Sequence, residues 1–102
     1  MNSNRSAYRR KISAEEAQEA YILVLKEALD LFPKPRVTFD MVVGSETKSV
    51  QIDVVDRLPN GVKMRKALYR ISTIKFRAAF PMRRGMTVII EKTGDNTYKL
   101  SK

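Results

Sequence analysis

The chain contains no cysteine and no histidine. Without thiols there is neither a disulfide framework nor a thiolate metal site, and without imidazole the commonest nitrogen ligand of zinc is missing too, so structural zinc is excluded. The same absences remove the commonest general base and the strongest side-chain nucleophile, which speaks against an enzyme. Glycine is scarce: Gly44, Gly61, Gly85 and Gly94 lie far apart, each in its own predicted turn, and cannot form a phosphate-cradling loop. Long apolar runs are missing as well. The longest, Ala20 to Leu31, is interrupted by Lys26, Glu27 and Asp30 and falls short of the ~20 residues a membrane span needs, so no membrane partner is expected. The basic opening MNSNRSAYRRKIS runs into Ala14-Glu15-Glu16 instead of an apolar core, which does not read as a secretory signal; a cytoplasmic location is the expectation.

One further scarcity is local. Over residues 57 to 90 there are nine basic residues and no acidic one, whereas residues 15 to 56 carry four basic and nine acidic residues. The net charge of +9 is therefore segregated along the chain. A surface made only for solubility intersperses both signs, whereas a polyanion-binding surface gathers one sign so that phosphate neutralisation releases counterions. A solvated basic face is the plain alternative.

What is present suits one domain, since 102 residues of which 43% are hydrophobic can bury a single modest core. Residues 1–12 lack periodicity and read as a flexible basic arm. Ser13 followed by Glu16 is a capping box, and Ala17, Tyr21, Val24, Leu25, Ala28 and Leu31 then recur at helical spacing up to Phe32-Pro33. Beyond Lys34-Pro35 the period changes to two. Val37, Phe39, Met41 and Val43 predict one strand and Val50, Ile52 and Val54 a second, paired as a hairpin across Gly44-Ser45-Glu46-Thr47. Leu58-Pro59-Asn60-Gly61 predicts another reversal into a strand over 62–71, whose Lys63 to Lys66 end has no clean apolar face and should project beyond the core. Ser72 can cap a short helix with Ile74, Phe76, Ala78, Ala79 and Phe80 inward, ended by Pro81. Met86 to Lys92 and Thr97 to Ser101 then form a last pair of strands. The expected order is α-β-β-β-α-β-β over a single domain, 13–102. This is an α+β fold with a small antiparallel sheet or partly closed barrel and an N-terminal packing helix.

Carboxylates offer one remaining catalytic route, a metal-dependent nuclease. Asp40 and Asp53 fall opposite the apolar face of their hairpin, however, and Glu91-Lys92 lacks the spacing of a nuclease motif, so solvent-facing acids are the better reading. The positive case rests on Arg57, Lys63, Arg65, Lys66, Arg70, Lys75, Arg77, Arg83 and Arg84. Six of these nine are arginine, whose planar fork pairs with phosphates and with guanine edges. Their structural alternative is pairing with Glu15, Glu16, Glu19 or Glu27. The candidate contacts are Arg65, Lys66, Arg70, Lys75, Arg77, Arg83 and Arg84, with Arg9, Arg10 and Lys11 from the arm. Tyr8 and Tyr69 could stack on bases but read first as core residues. The expected partner is nucleic acid, duplex DNA before RNA, bound by a regulator or accessory protein. An interaction module or antagonist for an acidic protein is the alternative.

From Lys66 onward the chain resembles the strand, short helix and hairpin of AbrB-like swapped-hairpin transcription factors. Lys75-Phe76-Arg77-Ala78-Ala79-Phe80, Gly85, Val88-Ile89-Ile90-Glu91 and Tyr98-Lys99-Leu100 occupy the corresponding places. The resemblance implies homodimerisation and duplex contacts from the strand and loop before the helix. Ser72 stands where that family usually has a helix-opening proline, and the N-terminal helix and hairpin are additional. A single-chain pseudobarrel, similar to plant-type and restriction-enzyme specificity domains, accommodates those extra strands equally well.

Overall fold

The computed structural model describes residues 6–102, and they form eight strands. These are β1 (Ala7–Lys11), β2 (Tyr21–Val24), β3 (Phe39–Val43), β4 (Glu46–Val50), β5 (Ile52–Arg57), β6 (Lys63–Ser72), β7 (Thr87–Gly94) and β8 (Thr97–Ser101). A six-residue helix, α1 (Ala14–Glu19), and two 3-10 turns, Lys26–Leu31 and Ile74–Phe76, complete the regular structure. One sheet has the order β1-β7-β8-β3-β4, antiparallel except where β3 runs parallel to β8; the other has the order β2-β6-β5. The two sheets share no ladder, so the barrel stays open. Gln51 is the corner at which the chain passes from β4 in one sheet to β5 in the other.

The core lies between the sheets. Ile22, Ile71 and Ile52 stand abreast on β2, β6 and β5, all with no exposed surface, and pack into one cluster with Met41, Val88, Ile90 and Leu100 of the larger sheet. Each such side chain contributes about 1.5–3 kcal/mol through burial. Phe32 fills one end, with its ring centroid 5.2 Å from that of Tyr98, 5.9 Å from Phe39 and 6.2 Å from Tyr8. The Tyr98 hydroxyl donates to the Leu31 carbonyl at 2.6 Å, and that of Tyr8 to the Leu23 carbonyl at 2.7 Å. Both tyrosines are core residues, Tyr8 as the sequence suggested, and burial raises both phenol pKa values above the ordinary 10.0.

This architecture corrects the α+β order α-β-β-β-α-β-β and its N-terminal packing helix: the chain is mostly β. The capping box is present, with Glu16 N–H donating to Ser13 Oγ and Ser13 N–H to the Glu16 carboxylate. The helix nevertheless ends after six residues because Ala20 turns left-handed, φ 61°, with its N–H on the Glu16 carbonyl. Tyr21 to Val24 then pair with β6, which exposes the ambiguity of a short apolar run: its spacing also fits a helix, but the neighbouring strand supplies ladder partners that an isolated helix lacks.

Other boundaries move for similar reasons. Of the expected basic arm, Ala7–Lys11 is strand β1, paired along its length with β7, while residues 1–5 lie outside the described residues. The predicted strand through Val50, Ile52 and Val54 straddles two sheets, and β3 pairs with β4 across Gly44-Ser45. The second helix shrinks to a 3-10 turn followed by an irregular turn. Phe76 and Phe80 are buried there as expected, but Ile74, Ala78 and Ala79 are exposed, and Ser72 belongs to β6. The β7–β8 hairpin falls close to its predicted place.

Candidate nucleic-acid interface

The β5–β6 hairpin supplies the most exposed basic segment. β2 pairs with β6 only over Tyr69 to Ser72, so the earlier part of β6 continues past its neighbour. Every residue from Asp56 to Lys63 is exposed, as are Arg65 and Lys66. The ladder is irregular here: Val55 opposes Leu68 and Arg57 opposes Lys63, leaving Met64 to Ala67 opposite Asp56 alone. Such an excess on one strand increases local twist and turns side chains away from the sheet. Arg65 and Lys66 sit on this excess.

The tip is ordered by its own hydrogen bonds. Leu58 N–H donates to the Val62 carbonyl and Gly61 N–H to the Leu58 carbonyl, both at 2.8 Å. Asn60 Oδ1 accepts from Val62 N–H at 3.0 Å, and Arg57 Nη1 donates to the Gly61 carbonyl at 3.2 Å. Gly61 takes φ +90°, a conformation open to glycine and strained for other residues. Beside the ribbon runs a groove of about 540 Å³ with Leu23 to Glu27 on one wall and Arg65 to Tyr69 on the other. Lys26 therefore joins Arg65 and Lys66.

The remaining sequence-predicted residues do not form one continuous surface with this ribbon. Arg70 lies on the outer face of the small sheet, opposite Leu23 and Asp53, with its guanidinium 4.4 Å above the Tyr21 ring. The Tyr21 hydroxyl donates to Glu15 Oε2 at 3.0 Å; burial, then this carboxylate, raise its pKa. Lys75 donates to the Ser49 carbonyl at 2.8 Å, and Arg77 lines a separate groove with Glu46. Arg84 shares a shallow groove with Lys11, Ile12 and Ser13; Gly85 N–H to the Ile12 carbonyl at 2.8 Å holds the two segments together. Arg83 is exposed in the same loop. Arg9 and Lys11 project from β1 opposite Ile89 and Thr87.

Arg10 stands apart. Its guanidinium is bound to the Glu16 carboxylate, which also accepts from Leu23 N–H at 2.8 Å and from Ser13 N–H at 2.9 Å. Burial alone would push the Glu16 carboxyl up, but these hydrogen bonds outweigh it and hold its pKa below the ordinary 4.5. Arg10 thus ties β1 to α1 and β2 through Glu16, and its charge is already paired. Among the described residues the ion pairs are Arg10–Glu16 and Lys48–Glu46; none involves the basic residues from Arg57 to Arg84. Glu15, Glu19 and Glu27, offered above as their structural partners, do not pair with them.

Lys26, Arg57 and Lys63 were not singled out as contacts from sequence. Arg57 and Lys63 flank the Pro-Asn-Gly reversal, which marked both as stem residues of a hairpin tip. Lys26 had no such signal, because its place beside Arg65 depends on how β2 leaves the sheet. Among the described residues no group of acidic residues is arranged to hold a metal ion, and no helix is long and apolar enough to cross a membrane.

No protein-family model and no curated protein matches the chain. Its fold is similar to that of a solved structure described as an Arabidopsis FUS3–DNA complex, with a TM-score of 0.66 over 94% of each chain at 12% sequence identity. The likeness establishes a pseudobarrel fold of the second kind expected above. The AbrB-like arrangement in particular is not shown by this likeness.

Proposed function

We propose that this protein binds duplex DNA through the β5–β6 ribbon, as a regulator or accessory protein without catalytic chemistry. The observation that carries the reading is the ribbon itself: Arg57, Lys63, Arg65 and Lys66 are exposed together at its projecting end without a carboxylate partner. Desolvating a paired charge would sacrifice its pair, whereas these four have no carboxylate to give up in exchange for phosphate. A solved structure that shares the fold is a DNA complex, which supports DNA over other polyanions. Most contacts are to phosphate, with arginine also able to read guanine edges.

Fluorescence anisotropy with labelled duplex DNA, single-stranded DNA, RNA and an acidic peptide tests this directly. The duplex binds most tightly, and its affinity falls with salt at a log–log slope of about −4 for four neutralised phosphates. Affinity unchanged between low and high salt, or preference for RNA or the peptide, overturns the reading.

A further inference from the structure

Exposed large apolar side chains are few on this molecule, and they are not scattered. Of the six among the described residues, Leu58 and Val62 lie at the ribbon tip and Leu25 and Leu68 lie along the groove at its base; Val37 and Ile74 lie elsewhere. Leu58 is 45% exposed and Val62 55% exposed, on either side of Pro59-Asn60-Gly61, itself exposed. Apolar groups left at the end of a projecting hairpin lower solubility, and their position points to a partner that covers them.

The surrounding chemistry says which partner. The apolar tip sits on a stem carrying Arg57 and Lys63, with Arg65 and Lys66 behind; Asp56 adjoins Arg57, Asp53 lies deeper in β5, and Glu27 lines the groove at the base. A partner must therefore present closely spaced anions flanking an apolar layer. Duplex DNA has this arrangement, with two phosphate backbones on either side of a base stack. Apolar side chains inserted at a base step unstack it and kink the duplex, opening more backbone to the flanking cations. The tip is also pre-organised. The Leu58–Val62 and Gly61–Leu58 backbone hydrogen bonds, the Asn60 side chain on Val62 N–H, and the Arg57 side chain on the Gly61 carbonyl fix its shape before contact. A wedge whose form is already set loses little conformational entropy when it enters.

We propose that Leu58 and Val62, on the Pro-Asn-Gly tip of the β5–β6 ribbon, form a wedge that enters the base stack and kinks the duplex. This rests on the duplex-binding reading above and adds a deformation to it. The wedge favours pyrimidine–purine steps, which unstack most readily, so it selects sequence by deformability without hydrogen-bonding to a base edge.

The test uses the full chain and a short duplex with donor and acceptor dyes at its ends and 2-aminopurine at a single central TA step. The wild-type protein raises energy transfer between the ends and raises 2-aminopurine fluorescence. The variant Leu58→Ser/Val62→Ser binds more weakly, keeps the salt slope and loses both signals; its thermal midpoint is unchanged, since both residues are exposed. Wild-type binding with the expected salt slope but no change in either signal sinks the wedge and leaves the duplex reading standing. Failure of the wild type to bind duplex at all sinks both. If the double variant binds and bends duplex like the wild type, the wedge is also wrong. Loss of its binding to anionic phospholipid vesicles or to an acidic peptide would then assign the apolar tip to that surface instead.

Discussion

Arg10 closes on both carboxylate oxygens of Glu16, with Nη2 3.0 Å from Oε1 and Nε 3.1 Å from Oε2, while Glu16 is 1% exposed. The carboxylate's other hydrogen bonds, from Ser13 N–H and Leu23 N–H, tie three consecutive elements to one side chain. A charge buried this deeply is tolerated because each oxygen has its donors, and removing the charge leaves those donors facing a poorer acceptor.

Glu16→Gln therefore lowers stability at neutral pH by about 2–3 kcal/mol, measured by denaturant unfolding. The pH dependence has a definite sign. Glu16 has a folded-state pKa below the ordinary 4.5, so its stabilisation is present above that value and is lost as pH falls through the folded value. The variant loses much less than the wild type in this acid window. An equal loss in both would show that another group controls acid unfolding.

Arg10 and Arg65 answer different assays. Arg10→Gln lowers the thermal midpoint and leaves the duplex affinity and salt slope of the folded protein intact. Arg65→Glu/Lys66→Glu leaves the midpoint near that of the wild type, weakens duplex binding and makes the salt slope shallower by about 2. A salt slope reduced by the Arg10 change would place this residue back among the contacts.

Tyr98→Phe keeps the ring stacked on Phe32 but removes the donor to the Leu31 carbonyl, at a cost of about 1–2 kcal/mol. Burial raises the Tyr98 pKa above the ordinary 10.0, so the neutral phenol's contribution is complete below that pH and is lost as pH rises through the folded value. The variant's stability accordingly declines less above pH 10 than that of the wild type; chemical denaturation across the alkaline range reads the difference.

Arg36 is exposed with φ 71°, in the left-handed region that side chains with a Cβ disfavour. Arg36→Gly relieves that strain at an exposed site and raises stability by about 0.5–1 kcal/mol, partly offset by the greater freedom of glycine in the unfolded chain. No change, or a loss, in unfolding free energy would mean that the Arg36 side chain makes contacts worth as much as the strain.

Local rules reach some of this molecule. The Ser13–Glu16 capping box, the reversal at Leu58-Pro59-Asn60-Gly61, the exposed Lys63 to Lys66 end of β6 and the final hairpin each depend on interactions within about ten residues of chain, and each is legible in the sequence. The helix over Ala17 to Leu31 and the arm over residues 1–12 are not, because both were decided by distant partners. Tyr21 to Val24 become a strand when β6 offers a ladder almost fifty residues away, and Ala7–Lys11 become one when β7 does.

The same division runs through the candidate interface. Segregation of charge into residues 57 to 90, and the freedom of that block from local carboxylates, are properties of the sequence alone. Which of those cations converge is a tertiary matter. Spacing along the chain could not separate Arg57, Lys63, Arg65 and Lys66 on the ribbon from Arg70 over Tyr21, Lys75 on Ser49 or Arg84 beside Lys11. Nor could it reveal that Arg10 is spent on Glu16. A carboxylate and a guanidinium pair when the fold brings them together and buries them, and that placement is set by strand order and register, which local propensity does not encode.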